Sequence, residues 1–416
     1  MIAPTRWSTL ASRWLSGRPA RARSARSESD RRGRRSAIGL QLQNGLLTAA
    51  QCEHTANGPR LLALAEAEVP LDAPDDVIGE RLRTLIDAHP YQGVRTVCLL
   101  GVNDLFTQSI RVPRASGDDL EAMVRAEAAD RLPVNPNECE IRFLPAAEVR
   151  HDEGVRQEVL LFACRRTLIN RQLSVLETAG LEPVAIDFEP AASLRALRQA
   201  APEEALPGLS AGTRPEDGAS NGSLTELPHR GIINLTRDSF SLSFVEGGRI
   251  LFVKHLSAGG LGLDRAIADA MDVPLAEATR LRTSIANCRQ LDPTDDVHRA
   301  FADAIARPIG AMIRELELCL RYHKVTFRRP LASLELIGSD AAGWLSEAIG
   351  SQLERPCTLG RLGLADAAVQ PSETHLSLNR ACRWIAPVGA ALRPRSGGGI
   401  IEAGNATPAV SATEVV

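Results

Sequence analysis

The sequence predicts an α/β protein of two lobes built on one plan, with a compact unit inserted into the first. Three observations carry this. The segment 36-SAIGLQLQNGLLTAAQCEH-54 reads as an apolar strand, a tight Asn-Gly turn and a second apolar strand. The pattern returns at 231-GIINLTRDSFSLSFVEGGRILFVKHL-256 as strand, polar turn, strand, Gly-Gly turn and strand. Between them, residues 107–187 form a dense alternation of strands and helices. Two hairpin-led halves make an internal pseudo-repeat, and the cleft between such halves is the natural place for a ligand.

Residues 1–36 hold ten Arg against Glu28 and Asp30, with few large apolar side chains after Leu15, and are expected to be a disordered tail. Trp7, Leu10, Trp14 and Leu15 fall at helical spacing among those arginines, a pattern compatible with weak contact to an anionic membrane surface. The first lobe is read over 37–200. It opens with the hairpin, adds 60-RLLALAEAEVP-70 as a third strand, then a helix near 76–88 and the buried strand 94-VRTVCLLG-101. The inserted subdomain, 107–187, supplies strand 107–112, helix 117–131, strands 139–147 and 155–164, helix 166–179 and strand 182–187. Helix 117–131 places Leu120, Val124, Ala128 and Leu132 on one face and stops at Pro133. Residues 201–230 are rich in Pro, Gly, Ser and Glu and aperiodic, which marks a flexible linker. The second lobe, 231–393, follows its three strands with helices near 261–271, 274–284 and 297–322, strand 333–338 and helix 341–353. Residues 394–416, rich in Gly, Ala and Thr, are expected to be a second disordered tail.

Composition narrows the function. The 416 residues are 44% hydrophobic and 24% charged with a net charge of −3, so no overall field points to nucleic acid. The eight cysteines are dispersed, with no C-x-x-C and no His at ligand spacing, which argues against structural zinc. No apolar run reaches the roughly 18 residues that span a bilayer, and no secretory signal pattern opens the chain, so a cytoplasmic protein is expected. The histidines form no cluster, and no Ser/His/Asp or Cys/His arrangement can be argued.

The order of elements over about residues 37–390 resembles the actin-like ATPase fold (a duplicated ribonuclease H-like fold), and more narrowly the PilM family of type IV pilus assembly, with an FtsA-type inserted subdomain. The run 110-IRVPRASGDDLEAMVRAEAADRLPVNPNE-138 is similar to that family's strand–Pro–helix–Leu-Pro segment. The run 159-VLLFACRRTLINRQLSVLETAGLEPVAIDFEPAASLRAL-197 resembles its strand, helix, "AGL-x-P" turn and "D-x-E-P-x-A" helix start. Its Gly-Gly-led helix pair is matched by 259-GGLGLDRAIADAMDVPLAEATRLR-282.

In such a fold, backbone N–H groups of two hairpin turns hold phosphate, and a carboxylate at each strand end organises Mg²⁺. The family's first hairpin reads D-x-G-S-S-S-x-K. The corresponding positions here are Gln41, Gln43, Asn44, Gly45, Leu46 and Thr48, so the carboxylate, the first Gly and the Lys are missing. The second hairpin's D-x-G corresponds to Asn234 and Thr236, and the late Gly-rich turn that supports the adenosine corresponds to Gly338, Ser339, Asp340 and Ala341. The family's Glu-x-x-Lys, which faces the nucleoside, is Thr279 and Arg282. Gly259 and Gly260 are candidates for close approach to a ligand, or for a tight strand–helix turn. Asp187 and Glu189 sit where a metal ligand could stand, but first-turn carboxylates ordinarily serve the helix dipole.

Amides cannot supply the negative charge that offsets Mg²⁺, and side chains at Thr236 and Asp340 would crowd phosphate and nucleoside. The resemblance, with these substitutions, implies a pseudo-ATPase scaffold with no cofactor, ATP and Mg being disfavoured. The partner it implies is the N-terminal cytoplasmic peptide of a PilN-like inner-membrane protein. That peptide would lie between the first lobe and the insert, with recruitment to the inner membrane face and to other pilus or secretion motor components. Two alternatives stand beside it: an ATPase or sugar-kinase relative with substituted ligands, and the cytoplasmic part of a type II secretion L-type component.

Overall fold

The computed structural model describes residues 35–43, 45–151, 154–198, 227–256, 259–364 and 381–394. Almost all of the expected tails and linker, and Asn44, lie outside these residues. The described chain starts at Arg35, which bridges to Glu53, and the Ser36 amide donates to the Cys52 carbonyl at 2.8 Å.

The first sheet is ordered β3-β2-β1-β4-β8, from β1 (Ile38–Gln43), β2 (Leu46–Thr55), β3 (Gly58–Glu68), β4 (Arg95–Leu100) and β8 (Glu182–Phe188). Strands β1, β4 and β8 run parallel, and β2 and β3 are antiparallel hairpin partners. A parallel centre must be covered on both faces. One face, with Ile38, Leu40 and Cys98, is covered by α1 (Asp75–Asp87) and α3 (Arg166–Thr178). The other, with Val97 and Leu99, is covered by α4 (Glu189–Arg198) and α9 (Ile385–Ala391). The alternation of Val97, Cys98 and Leu99 between faces is the period of two that a strand imposes.

The second sheet repeats the first. Strands β9 (His229–Leu235), β10 (Phe240–Glu246), β11 (Arg249–Leu256), β12 (Leu331–Ile337) and β13 (Cys357–Leu359) are ordered β11-β10-β9-β12-β13, with the same antiparallel and parallel pairings. Its helices are α5 (Gly260–Met271), α6 (Leu275–Ser284), α7 (Asp296–Phe327) and α8 (Gly343–Gln352). Helix α9 belongs to the expected second lobe in sequence, but it packs on the first-lobe sheet and on α4, so the chain ends by crossing back.

A third sheet, β5-β7-β6, is formed by β5 (Phe106–Pro113), β6 (Cys139–His151) and β7 (Gly154–Arg165), with α2 (Gly117–Arg131) against one face through Leu120, Val124 and Ala128. This corrects the insert read over 107–187. Strand β8 hydrogen-bonds to β4 and α3 packs on α1, so both belong to the first lobe, and the insert ends at β7. Its other face turns to the second lobe, where Leu144, Ala146, Leu160 and Phe162 join the core of β10 and β11. Buried Glu158 fastens this contact by accepting from Arg111 Nε at 2.8 Å and from the Tyr322 hydroxyl of α7 at 2.6 Å.

Candidate functional site

Because the two sheets repeat one plan, the β1–β2 and β9–β10 turns meet across the space between the lobes. Gln41, Gln43, Gly45, Thr48, Asn234, Thr236, Thr279, Arg282, Gly338, Ser339 and Asp340 line one cleft of about 490 Å³. Gly259 and Gly260 do not line it. A Cβ at Gly259 would stand 2.5 Å from the Arg237 carbonyl oxygen, and one at Gly260 would stand 2.7 Å from the Asp340 carboxyl carbon. Their missing side chains bring the second hairpin turn onto the start of α5, where the Gly260 amide donates to the Thr236 carbonyl at 2.8 Å.

At the mouth, Gln41 Nε2 donates to Gln43 Oε1 at 2.9 Å, and Gln43 Nε2 donates to both Thr236 Oγ1 and Ser239 Oγ at 3.3 Å. The Thr236 and Ser239 hydroxyls are themselves 2.6 Å apart. A relay of amides and hydroxyls therefore joins the turn of one lobe to the turn of the other, across the place where the resemblance puts phosphate. Asn103 Nδ2, just past β4, makes a parallel link to Asp238 Oδ2 at 3.2 Å. On the outer rim Arg383 Nη1 donates to both carboxylate oxygens of Glu66, at 2.8 and 2.7 Å.

The nucleoside side is filled by charge. Asp264 of α5 is fully buried, and Arg282 of α6 donates to it through Nε at 2.5 Å and Nη2 at 3.2 Å, and to Asp340 Oδ1 at 2.9 Å. The Thr279 hydroxyl adds a bond of 2.9 Å to Asp264 Oδ2. Burial alone would lower the Arg282 pKa, but Asp340 and Asp264 outweigh it and hold the guanidinium above its ordinary value. An arginine spent on two carboxylates is not available to a ligand.

Beneath the Gly338 turn lie Asn234 and Glu189. Asn234 Oδ1 and Glu189 Oε2 are buried without a hydrogen-bond partner among the described residues. Burial pushes the Glu189 carboxyl pKa up, against bonds from Ser193 and Asn234. Glu189 stands in the first turn of α4, as expected from the sequence, but it is buried there. Asp187 is buried as well, and paired with Arg195 and with Arg393 Nη1 at 2.9 Å. Neither strand end offers a carboxylate, and among the described residues no group of three or more His, Cys, Asp or Glu is placed to hold a metal ion.

Sequence reasoning missed Asp264, Ser239 and Arg383. A signal existed for Asp264, a carboxylate between Leu263 and Ile267 on the core face of its helix. For Ser239 and Arg383 no local pattern marked the contact across the lobes.

The family described as Type IV pilus assembly protein PilM matches residues 71–325, more than half of the chain. No curated protein matches. Among solved structures, the chain is similar to one described as the PilM-PilN type IV pilus biogenesis complex, with 21% identity and a TM-score of 0.66, covering 86% of this chain and 98% of that one. It is also similar to the ethanolamine utilization protein EutJ from Carboxydothermus hydrogenoformans, with 14% identity, a TM-score of 0.46 and coverage of 86% and 89%. A third is the cytoplasmic domain of EpsL, an inner membrane component of the type II secretion system of Vibrio cholerae, with 13% identity, a TM-score of 0.33 and coverage of 56% and 74%. The fold is the actin-like one expected from the sequence. Among the described residues, no helix is long and apolar enough to cross a membrane.

Proposed function

The chain belongs to the type IV pilus assembly protein PilM family, and from that membership we propose that it acts as a non-catalytic actin-like scaffold. Its partner in this reading is the N-terminal cytoplasmic peptide of a PilN-like inner-membrane protein, which holds it at the cytoplasmic face of that membrane. The observation that carries the non-catalytic part is the Gln43 bond to Thr236 and Ser239, which closes the two turns on one another. Mg-nucleotide does not fit such a site. Phosphate would have to break the relay, Mg²⁺ would meet the amides of Gln41 and Asn234, and the nucleoside would displace the Arg282–Asp340 pair.

For the peptide, the support is an unpaired edge. Strand β5 leaves the first lobe just after Leu105, lies against β11 and, among the described residues, pairs only with β7, which leaves its other side for an added strand. Phe106, at its start, is half-buried beside Arg165, whose guanidinium carbon lies 5.7 Å from the ring centre, and offers an apolar seat next to the first lobe. Titration of the partner's N-terminal peptide tests this. Affinity is expected to fall about tenfold in Phe106→Ser, a loss of about 1.4 kcal/mol, and to be unchanged by Gln41→Ala, Asn234→Ala or added Mg-ATP. Affinity unchanged in a folded Phe106→Ser variant removes the peptide from this edge. Affinity that depends on Gln41 or on Mg-ATP returns the function to the cleft.

A further inference from the structure

Helix α7 buries one face, with Ile305, Met312, Leu316, Cys319 and His323, against the second-lobe core. A helix with one core face is expected to be polar on the other. Here the outer face carries a second apolar column. Val297, Ala311, Leu318 and Val325 fall on one seven-residue series, whose remaining member Ala304 packs on the core, and Val297, Leu318 and Val325 are 47%, 62% and 76% exposed. Beside this column runs a cationic one at the same interval, Arg307, Arg314 and Arg321, while Arg328, the next in the series, lies past the end of α7 in a left-handed conformation. Among the described residues Arg307, Arg314 and Arg328 form no ion pair, and Arg321 reaches only its helix neighbour Glu317, at 3.8 Å. Isolated exposed apolar residues need no explanation, but two columns side by side from Arg307 to Val325 do.

The spacing selects the kind of partner. A seven-residue column drifts about 20° per heptad around a straight α-helix, so over the two heptads from Ala311 to Val325, beyond Pro308, it turns by about 40°. A flat bilayer meets a straight stripe, whereas a second helix wound left-handed follows the drifting one. A second copy of this chain would set arginine against arginine in parallel pairing, or against the apolar column in antiparallel pairing. We propose that the outer face of α7 docks an acidic amphipathic helix of a partner protein in coiled-coil geometry. The partner's apolar residues seat on Ala311, Leu318 and Val325, and its carboxylates pair with Arg307, Arg314 and Arg321. This surface is separate from the cleft and from the β5 edge.

The test uses the full chain and a synthetic helix of about four heptads, with Leu on one seven-residue column and Glu on the neighbouring one, followed by fluorescence anisotropy. Binding is expected that weakens with added salt, and that weakens at least about tenfold in the double variant Arg314→Glu, Arg321→Glu and in the double variant Leu318→Ser, Val325→Ser. All four side chains are exposed, so unchanged melting curves establish that the variants are folded. Equal binding of a peptide with Lys in place of Glu overturns the proposal, as does no binding at about 100 μM peptide. Vesicles of phosphatidylglycerol that bind the chain through the same residues, without peptide binding, would overturn it in favour of a membrane. A dimer dissolved by the same variants would overturn it in favour of a second copy.

Discussion

Arg282 is the residue on which the cleft wall depends, since it neutralises a fully buried carboxylate, Asp264, and a partly buried one, Asp340. Replacing it by leucine preserves much of the volume and leaves Asp264 with the more distant Arg237 Nη1, at 3.8 Å, as countercharge. The expected loss is about 3–5 kcal/mol of unfolding free energy, measured by urea denaturation; a loss under about 1 kcal/mol would show that the pair contributes little. His323 offers a pH test. Its ring lies 2.8 Å from that of His229, and burial, then His229 and Arg355, push its pKa down to about 4. An unfolded histidine titrates near about 6.5. Between these values the unfolded chain takes up the proton and the folded chain does not, so stability falls as pH drops from about 6.5 towards about 4 and levels off below. His323→Gln lacks this component. The wild-type advantage over the variant at neutral pH should therefore shrink on acidification, and a constant gap in denaturation midpoints would contradict the assignment. At this scale the sequence pointed to most of the cleft lining, because Gln41, Asn234 and the Gly338 turn end strands that were themselves legible. It could not show Gln43 reaching Thr236, a contact between residues far apart in the chain.

Element boundaries were legible where periodicity was strong, as in helices α1 and α3, and in α2 from its Gly117-Asp118 start and Pro133 stop, whereas α7 runs five residues past its expected end at 322. What local pattern does not encode is which strand a strand pairs with. Strand β8 was visible as an apolar run, yet its pairing with β4 moves the end of the insert back to β7. Strand β13 has three residues and α9 seven, the latter Ala-rich with a proline near its start, so neither is long enough to show a period. The insert's hold on the second lobe yields a prediction at this scale. The Tyr322 hydroxyl, its pKa raised to about 12 by burial and Glu158, donates with Arg111 to the buried Glu158 carboxylate. Tyr322→Phe should cost about 2 kcal/mol, as loss of a hydrogen bond to a charged group does. Its measurement is a thermal or urea melt, and a change below about 0.5 kcal/mol would mean that solvent replaces the hydroxyl.

Across the whole molecule, the two lobes are joined by side chains of their own. The Gln43 relay, the Asn103–Asp238 bond and the crossing of α9 onto the first-lobe sheet each link one half to the other. In the proposed reading these links hold the lobes together without nucleotide, as a scaffold in an assembly would require. The most direct measurement is the melting temperature of the full chain with and without saturating Mg-ATP. A ligand at 100 times its Kd adds about 2.7 kcal/mol to a folded protein. The account predicts no shift for the wild type, nor for Gln43→Ala, which opens the relay without restoring a carboxylate. A Mg-dependent rise in the wild-type melting temperature, lost in Gln41→Ala, would contradict it.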